Sequence, residues 1–168
     1  MAKILSIIAP EGFQDKEYGD SRAELEKAGH TVITASTVPV AHGKFGAKVK
    51  TDMILSDVNA DDYDAVLFVG GPGSFQYFDD PTALKLAKDF YDSGKLTTAI
   101  CAAPSILANA GVLKGKKATC WEGESGNLKD KGAKYTGADV ETDGIVITGN
   151  GPMAAAEFGR TIAENLKN

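Results

Sequence analysis

The chain has 168 residues, 43% of them hydrophobic and 24% charged, with a net charge of -5. That length suits one domain with a full core, residues 1–168, and the acidic balance argues against nucleic acid or an anionic membrane as the partner. The two cysteines, Cys101 and Cys120, have no C-x-x-C spacing, which excludes a disulfide framework and a zinc site.

Residues 4–9 (Ile-Leu-Ser-Ile-Ile-Ala) form an apolar run too short to span a bilayer and without a small-residue cleavage pattern after it, so a cytoplasmic protein is expected. The run reads as a strand of a parallel sheet covered on both faces. Pro10, Glu11 and Gly12 read as a turn. A helical pattern begins at Gln14, with Tyr18, Leu25 and Ala28 on one face, and Gly29 ends it. Residues 31–35, rich in β-branched side chains, give a second strand and complete a right-handed βαβ unit. Residues 38–50 are irregular, a short hairpin or arm, and 52–58 connect onward through a helical turn. Residues 65–69 are a third buried strand, running into Gly70-Gly71-Pro72-Gly73-Ser74. Asp80 is placed as an N-cap and Pro81 at the first helical position, with Leu84, Ala87, Phe90 and Tyr91 as the apolar face and Gly94 as the stop. Residues 96–100 are the strand that delivers Cys101, and a helix follows to Gly111. Residues 116–121 read as a short strand with Cys120 and Trp121 on opposite faces, followed by a polar helix or loop to Lys131. Tyr135, Val140 and residues 145–148 supply further strand segments, 149–152 a turn, and 153–166 a closing helix. This alternation predicts an α/β fold, a flavodoxin-like open, mostly parallel sheet sandwiched by helices.

Ligands bind such sheets outside the carboxyl ends of the strands. Cys101 sits at one such end, on a strand-to-helix corner that forms a nucleophile elbow. The N-terminal dipole of the following helix should favour the thiolate, which is the nucleophilic form. A free cysteine is as often a small buried hydrophobe. The Gly70-Gly71 turn can bring backbone N–H groups to a ligand. It lacks a P-loop lysine and does not fit G-x-G-x-x-G, so it is either a plain tight turn or, with Cys101, one side of an oxyanion hole made by the N–H groups of Gly71 and Ala102. Of Glu11, Asp15 and Glu17 in the first loop, one can point inward at Cys101, and a buried carboxyl there would shuttle protons near neutrality. His30 and His42 both precede Cys101, so a triad with a downstream histidine is impossible. Trp121 either fills the core or walls a pocket beside Cys101, together with Gly70. Cys120 is either inert or a resolving thiol for an oxidised Cys101.

Taken together, several segments resemble the DJ-1/PfpI (ThiJ) superfamily over nearly the whole chain. They are Ala9-Pro10-Glu11-Gly12-Phe13-Gln14-Asp15-Lys16-Glu17, Lys27-Ala28-Gly29-His30-Thr31-Val32, residues 62–71, Ala99-Ile100-Cys101-Ala102-Ala103-Pro104, residues 113–120, and Asp143-Gly144 to Gly151-Pro152. The resemblance implies a homodimer or an assembly of dimers, a reactive cysteine at Cys101, a protonated glutamate at Glu17 touching its sulfur, and oxyanion donors at the backbone of Gly71 and Ala102. It implies cofactor-free conversion of small 2-oxoaldehydes such as methylglyoxal to hydroxy acids, or a deglycase-like reaction. Redox sensing through oxidation of Cys101 in a stress response is the alternative, and peptidase or amidase action a weaker one. Ala102 and Trp121 stand where many active members carry a histidine, and Asn150 where relatives often have arginine before Gly-Pro. Glu17 would then carry the proton transfers alone.

Overall fold

The computed structural model describes residues 1–166. In chain order its elements begin with β1 (Lys3–Ile7), β2 (Glu11–Phe13), α1 (Asp15–Lys27), β3 (Thr31–Ser36), β4 (Val40–Gly43), β5 (Lys48–Lys50), β6 (Met53–Ile54), β7 (Ala65–Phe68) and α2 (Pro81–Asp92). There follow β8 (Leu96–Ile100), α3 (Pro104–Asn109), β9 (Lys117–Ala118), α4 (Ser125–Asp130), β10 (Lys134–Tyr135), β11 (Val140–Asp143), β12 (Val146–Gly149) and α5 (Ala155–Asn165). The main sheet has seven strands in the order β11-β12-β8-β7-β1-β3-β6. Each pairing is parallel except β11 with β12.

Strands β7, β8 and β12 are buried along their whole length, and β1 from its second residue, because helices cover both faces. The chain leaves β1 toward β3 and β6, then returns to β7 and proceeds through β8 to β12 on the other side. With right-handed crossovers, these opposite directions place α1 and α2 on opposite faces. Helix α5 joins α1, and the approach is close. A Cβ on Gly159 would lie 2.9 Å from the Ser21 carbonyl oxygen, and Arg160 pairs with Glu24 at 2.9 Å. Phe13, Phe68, Phe90 and Phe158 are fully buried in the core between these layers. Asp80 caps α2 as expected, its carboxylate accepting from the Ala83 N–H at 2.9 Å ahead of Pro81.

Three local expectations are corrected. Residues 10–12 are not a simple turn: Glu11–Phe13 forms β2, which pairs with β4 on either side of Gly12, and the register shifts at Gly12, whose φ is 78°. Ala28 is exposed, because α1 ends at Lys27 and buries Glu17, Tyr18, Ser21 and Leu25 instead. Cys120 and Trp121 do not share a strand. Strand β9 stops at Ala118, and the chain then turns so that the Trp121 N–H meets the Cys101 carbonyl at 2.7 Å. The arm at 38–50 resolves as the antiparallel β4–β5 hairpin. No helix among the described residues is long and apolar enough to cross a membrane.

Candidate active site

The strand order reverses between β1 and β7, and the loops leaving β1, β7 and β8 meet there. Each loop brings one part of the site. The first brings α1 with Glu17, the second brings Gly70 and Gly71, and the third is the corner at Cys101.

Cys101 is the only non-glycine residue with positive φ among the described residues, at 65°. An L-residue in this left-handed region is strained by about 1–2 kcal/mol, so the surrounding bonds must hold it there. The Cys101 N–H donates to the Gly149 carbonyl at 2.9 Å, its carbonyl accepts from Trp121, and the Ala103 N–H closes the turn onto Ile100 at 3.1 Å. The corner lifts the sulfur off the sheet, where the backbone N–H groups of Gly71 and Ala102 both donate toward it. Gly71 presents its amide from φ 99°, packed so tightly that a Cβ there would lie 2.5 Å from the Gln14 nitrogen.

Glu17 lies beneath the sulfur, fully buried. Gln14 caps the start of α1 by accepting from the Glu17 N–H at 3.0 Å, which places Glu17 in the first turn and on its inner face. One carboxyl oxygen, Oε1, accepts from the Gly70 N–H at 3.0 Å. The other, Oε2, is buried without a hydrogen-bond partner among the described residues. Burial lifts the Glu17 carboxyl from 4.5 to about 7. The thiol does not ionise readily, contrary to the sequence expectation. Burial and the neighbouring Glu17 carboxylate push it up to about 12, against the lowering effect of the two backbone donors. Two negative charges cannot share this desolvated space: each group carries its own proton at low pH, and as pH rises through about 7 one proton leaves and the other is held between the two groups. The Glu17 side chain hydrogen-bonds Cys101, so a proton on the carboxyl makes it a donor to the sulfur, and a thiolate there gains a third hydrogen-bond donor.

Above the sulfur opens a cavity of about 380 Å³. Its walls are Gly71, Ala102, Phe45, Phe75 and Trp121, with Pro72 and Pro152 at the edges and Gln14 and Lys44 as the polar side chains. Trp121 is therefore a pocket wall, 47% exposed, and not core filling. Lys44 and Phe45 arrive on the β4–β5 hairpin, which the sequence marked only as an irregular arm. Asp15 pins that hairpin: its carboxylate accepts from the Phe45 N–H at 2.9 Å and the Ala47 N–H at 2.8 Å. An exposed phenylalanine in a Gly-flanked turn, Gly43-Lys44-Phe45-Gly46, was the available signal.

Of the three acidic candidates, the structure brings only Glu17 to Cys101. Glu11 is exposed beside His42, 3.3 Å away, and Asp15 holds the hairpin. Neither histidine lines the cavity; His30 Nδ1 accepts from the Ala2 N–H at 3.0 Å. Gly70 is corrected from pocket wall to spacer. A Cβ there would sit 2.6 Å from Cys101 Cβ and 2.7 Å from Glu17 Oε1, so its bare Cα is what lets carboxyl and thiol approach each other. Cys120 is buried, and burial raises its thiol to about 12, in keeping with the inert reading. Asn150 donates to the Asp139 carboxylate at 3.2 Å and stays off the cavity wall.

An open, mostly parallel α/β sheet with a cysteine on a strained corner, backed by a buried glutamate, defines a class of α/β proteins with a cysteine elbow. Within that class the chain belongs to the DJ-1/PfpI family, whose profile matches residues 2–165. It is 34% identical to a deglycase, PfpI, of Pyrococcus furiosus, across 98% of this chain and 99% of the relative. It is 33% identical to a glutathione-independent glyoxalase of Caenorhabditis elegans, across 97% of this chain and 88% of the relative. The crystal structure of a ThiJ/PfpI domain protein from Brachyspira murdochii superposes with a TM-score of 0.95 at 33% identity, covering 98% of this chain and 95% of the other.

Proposed function

We propose that the protein is a cofactor-independent cysteine enzyme of glyoxalase III or deglycase type, converting small 2-oxoaldehydes to 2-hydroxy acids. The observation that carries this reading is the buried Glu17 carboxyl beside the Cys101 sulfur, with the Gly71 and Ala102 N–H groups aimed at the same point. The deglycase and glyoxalase relatives support it.

As Glu17 takes the thiol proton, the Cys101 sulfur adds to the aldehyde carbon, forming a C–S bond and an alkoxide. The Gly71 and Ala102 N–H groups hold that oxygen, and Glu17 gives it the shared proton, leaving a hemithioacetal and a carboxylate. Glu17 then takes the C–H proton from the former aldehyde carbon and returns it to the neighbouring carbon through an enediol. A carboxyl near 7 suits both directions of transfer at neutral pH. The product is a thioester, which water hydrolyses to the hydroxy acid and the thiol. The substrate carbons exchange oxidation states, so no external oxidant enters. No histidine is required, in agreement with the positions of His30 and His42. Purified protein given methylglyoxal, without added thiol or cofactor, should form lactate in stoichiometric yield. Consumption of the aldehyde without lactate would overturn the reading.

A second reading is favoured by the same donors. Oxygen added to Cys101 would be held by the Gly71 and Ala102 N–H groups and by protonated Glu17, so the site would also serve a redox-sensing role. Intact mass after mild peroxide tests it; no oxygen on Cys101 rules it out.

A further inference from the structure

Five large hydrophobic side chains are exposed among the described residues, and three of them line the cavity over Cys101: Phe45 at 70%, Phe75 at 46% and Trp121 at 47%. A fourth, Met153, follows the wall residue Pro152 directly. Exposed aromatic side chains gathered at one place mark a binding surface. Here they converge around a concave space that ends at a nucleophile, which is the shape of a small-molecule site rather than of a flat protein interface.

The size of the space points the same way. At about 30 Å³ per heavy atom, the share of one water in the liquid, the five heavy atoms of methylglyoxal take up about 150 Å³. That leaves more than half of the 380 Å³ cavity to water lying against aromatic rings. A ten-atom aryl aldehyde needs about 300 Å³ on the same scale and fits.

Two of the three aromatic walls hang from fixed backbone. The Phe45 N–H is fixed by Asp15, and Trp121 by its bond to the Cys101 carbonyl. The segment after Trp121 is tied to α3, where the Ser105 hydroxyl donates to the Glu124 carboxylate and Asn127 donates to Ser105 and Asn109. The backbone that carries Phe45 and Trp121 is therefore set before a ligand arrives. Lys44, whose ammonium lies 5.4 Å from the Phe45 ring centroid, gives the mouth one cation, suited to a carboxylate product.

We infer that the cavity selects 2-oxoaldehydes bearing an aryl substituent, its rings stacking on Phe45, Phe75 and Trp121 while the two oxo carbons reach Cys101. The inference rests on the hemithioacetal reading above for its reacting end. The balanced step is unchanged: an arylglyoxal and water give a 2-aryl-2-hydroxy acid.

The test compares kcat/KM for phenylglyoxal and methylglyoxal in the parent and in Phe45→Ala. A stacked ring in an apolar slot should favour phenylglyoxal by roughly tenfold or more, and Phe45→Ala should remove most of that preference. A second readout needs no turnover. Trp121 is the single tryptophan of the chain, so its fluorescence reports the pocket directly. In Cys101→Ala, mandelate should saturate that signal at a concentration at least tenfold below lactate. Faster turnover of methylglyoxal, or a ratio that Phe45→Ala leaves unchanged, overturns the inference and leaves the proposed reaction standing. Turnover of neither aldehyde, with mandelate still bound tighter, overturns the reaction and supports the aryl slot. If Phe45→Ala changes the particle mass in light scattering and not the ratio, the rim is a contact between copies and the inference fails.

Discussion

Replacing Glu17 with Gln tests how deeply the acid is buried. In the native protein the carboxyl titrates near 7, in the unfolded chain near 4.5. A raised carboxyl binds its proton more tightly when folded. Its contribution to stability is therefore fully present below pH 4.5 and is lost as pH rises through the window to 7. Gln occupies the same volume, keeps an oxygen to accept the Gly70 N–H, and has no proton to lose. The difference in unfolding free energy, Glu17→Gln minus parent, should therefore rise with pH. Integrating proton binding for a carboxyl moved from 4.5 to about 7 gives a rise of about 2.5 kcal/mol between pH 5 and pH 8. The assay is urea unfolding of both proteins across that range, and taking the difference cancels the shared groups that Glu17 does not touch. A difference that stays flat, or falls, would show that Glu17 takes up no extra proton on folding and would refute a carboxyl raised to about 7 by burial beside the thiol.

Three other substitutions probe the frame around that pair. Gly70→Ala puts a Cβ 2.6 Å from both Cys101 Cβ and the Ile100 carbonyl oxygen; it should cost roughly 1–3 kcal/mol in chemical denaturation and slow alkylation of Cys101. Asp15→Ala leaves the Phe45 and Ala47 amides without their acceptor; their hydrogen exchange should accelerate while that of the Gly70 amide stays slow. Cys101→Gly relieves the positive φ that Cys101→Ala retains, so the glycine variant should be the more stable of the two by about 1 kcal/mol in denaturant titration.

Hydrophobic runs and punctuation made the parallel sheet legible. Residues 4–9, 65–69 and 96–100 are uncharged and mostly apolar because both faces of β1, β7 and β8 are covered, and Asp80-Pro81 marked a helix start on capping chemistry alone. The corner at Cys101 was legible for the same reason: a buried strand ends, small residues follow, and a helix begins. The ionisation of the thiol was not, since it depends on Glu17, 84 positions earlier in the chain (101 minus 17), being folded against it. The pair itself was reached through family resemblance, because Glu11, Asp15 and Glu17 look alike until α1 fixes which one faces inward. Of the aromatic rim, the sequence offered only Trp121, as one of two readings; Phe45 and Phe75 escaped it. Phe45, Phe75 and Trp121 come from three segments with no common period, and only the hairpin pinned by Asp15 and the turn after β9 bring them together. Of the strand expected at residues 116–121 only Lys117–Ala118 forms, as β9, and the chain then turns to the elbow, where the Trp121 N–H bonds the Cys101 carbonyl.

The most direct measurement is the initial rate of lactate formation from methylglyoxal by the parent, Cys101→Ala and Glu17→Gln under identical conditions at neutral pH. The expected result is turnover in the parent and none above background in either variant, with all three proteins folded by circular dichroism. Full turnover in Cys101→Ala, or in Glu17→Gln, would contradict a reaction carried by this thiol and this carboxyl.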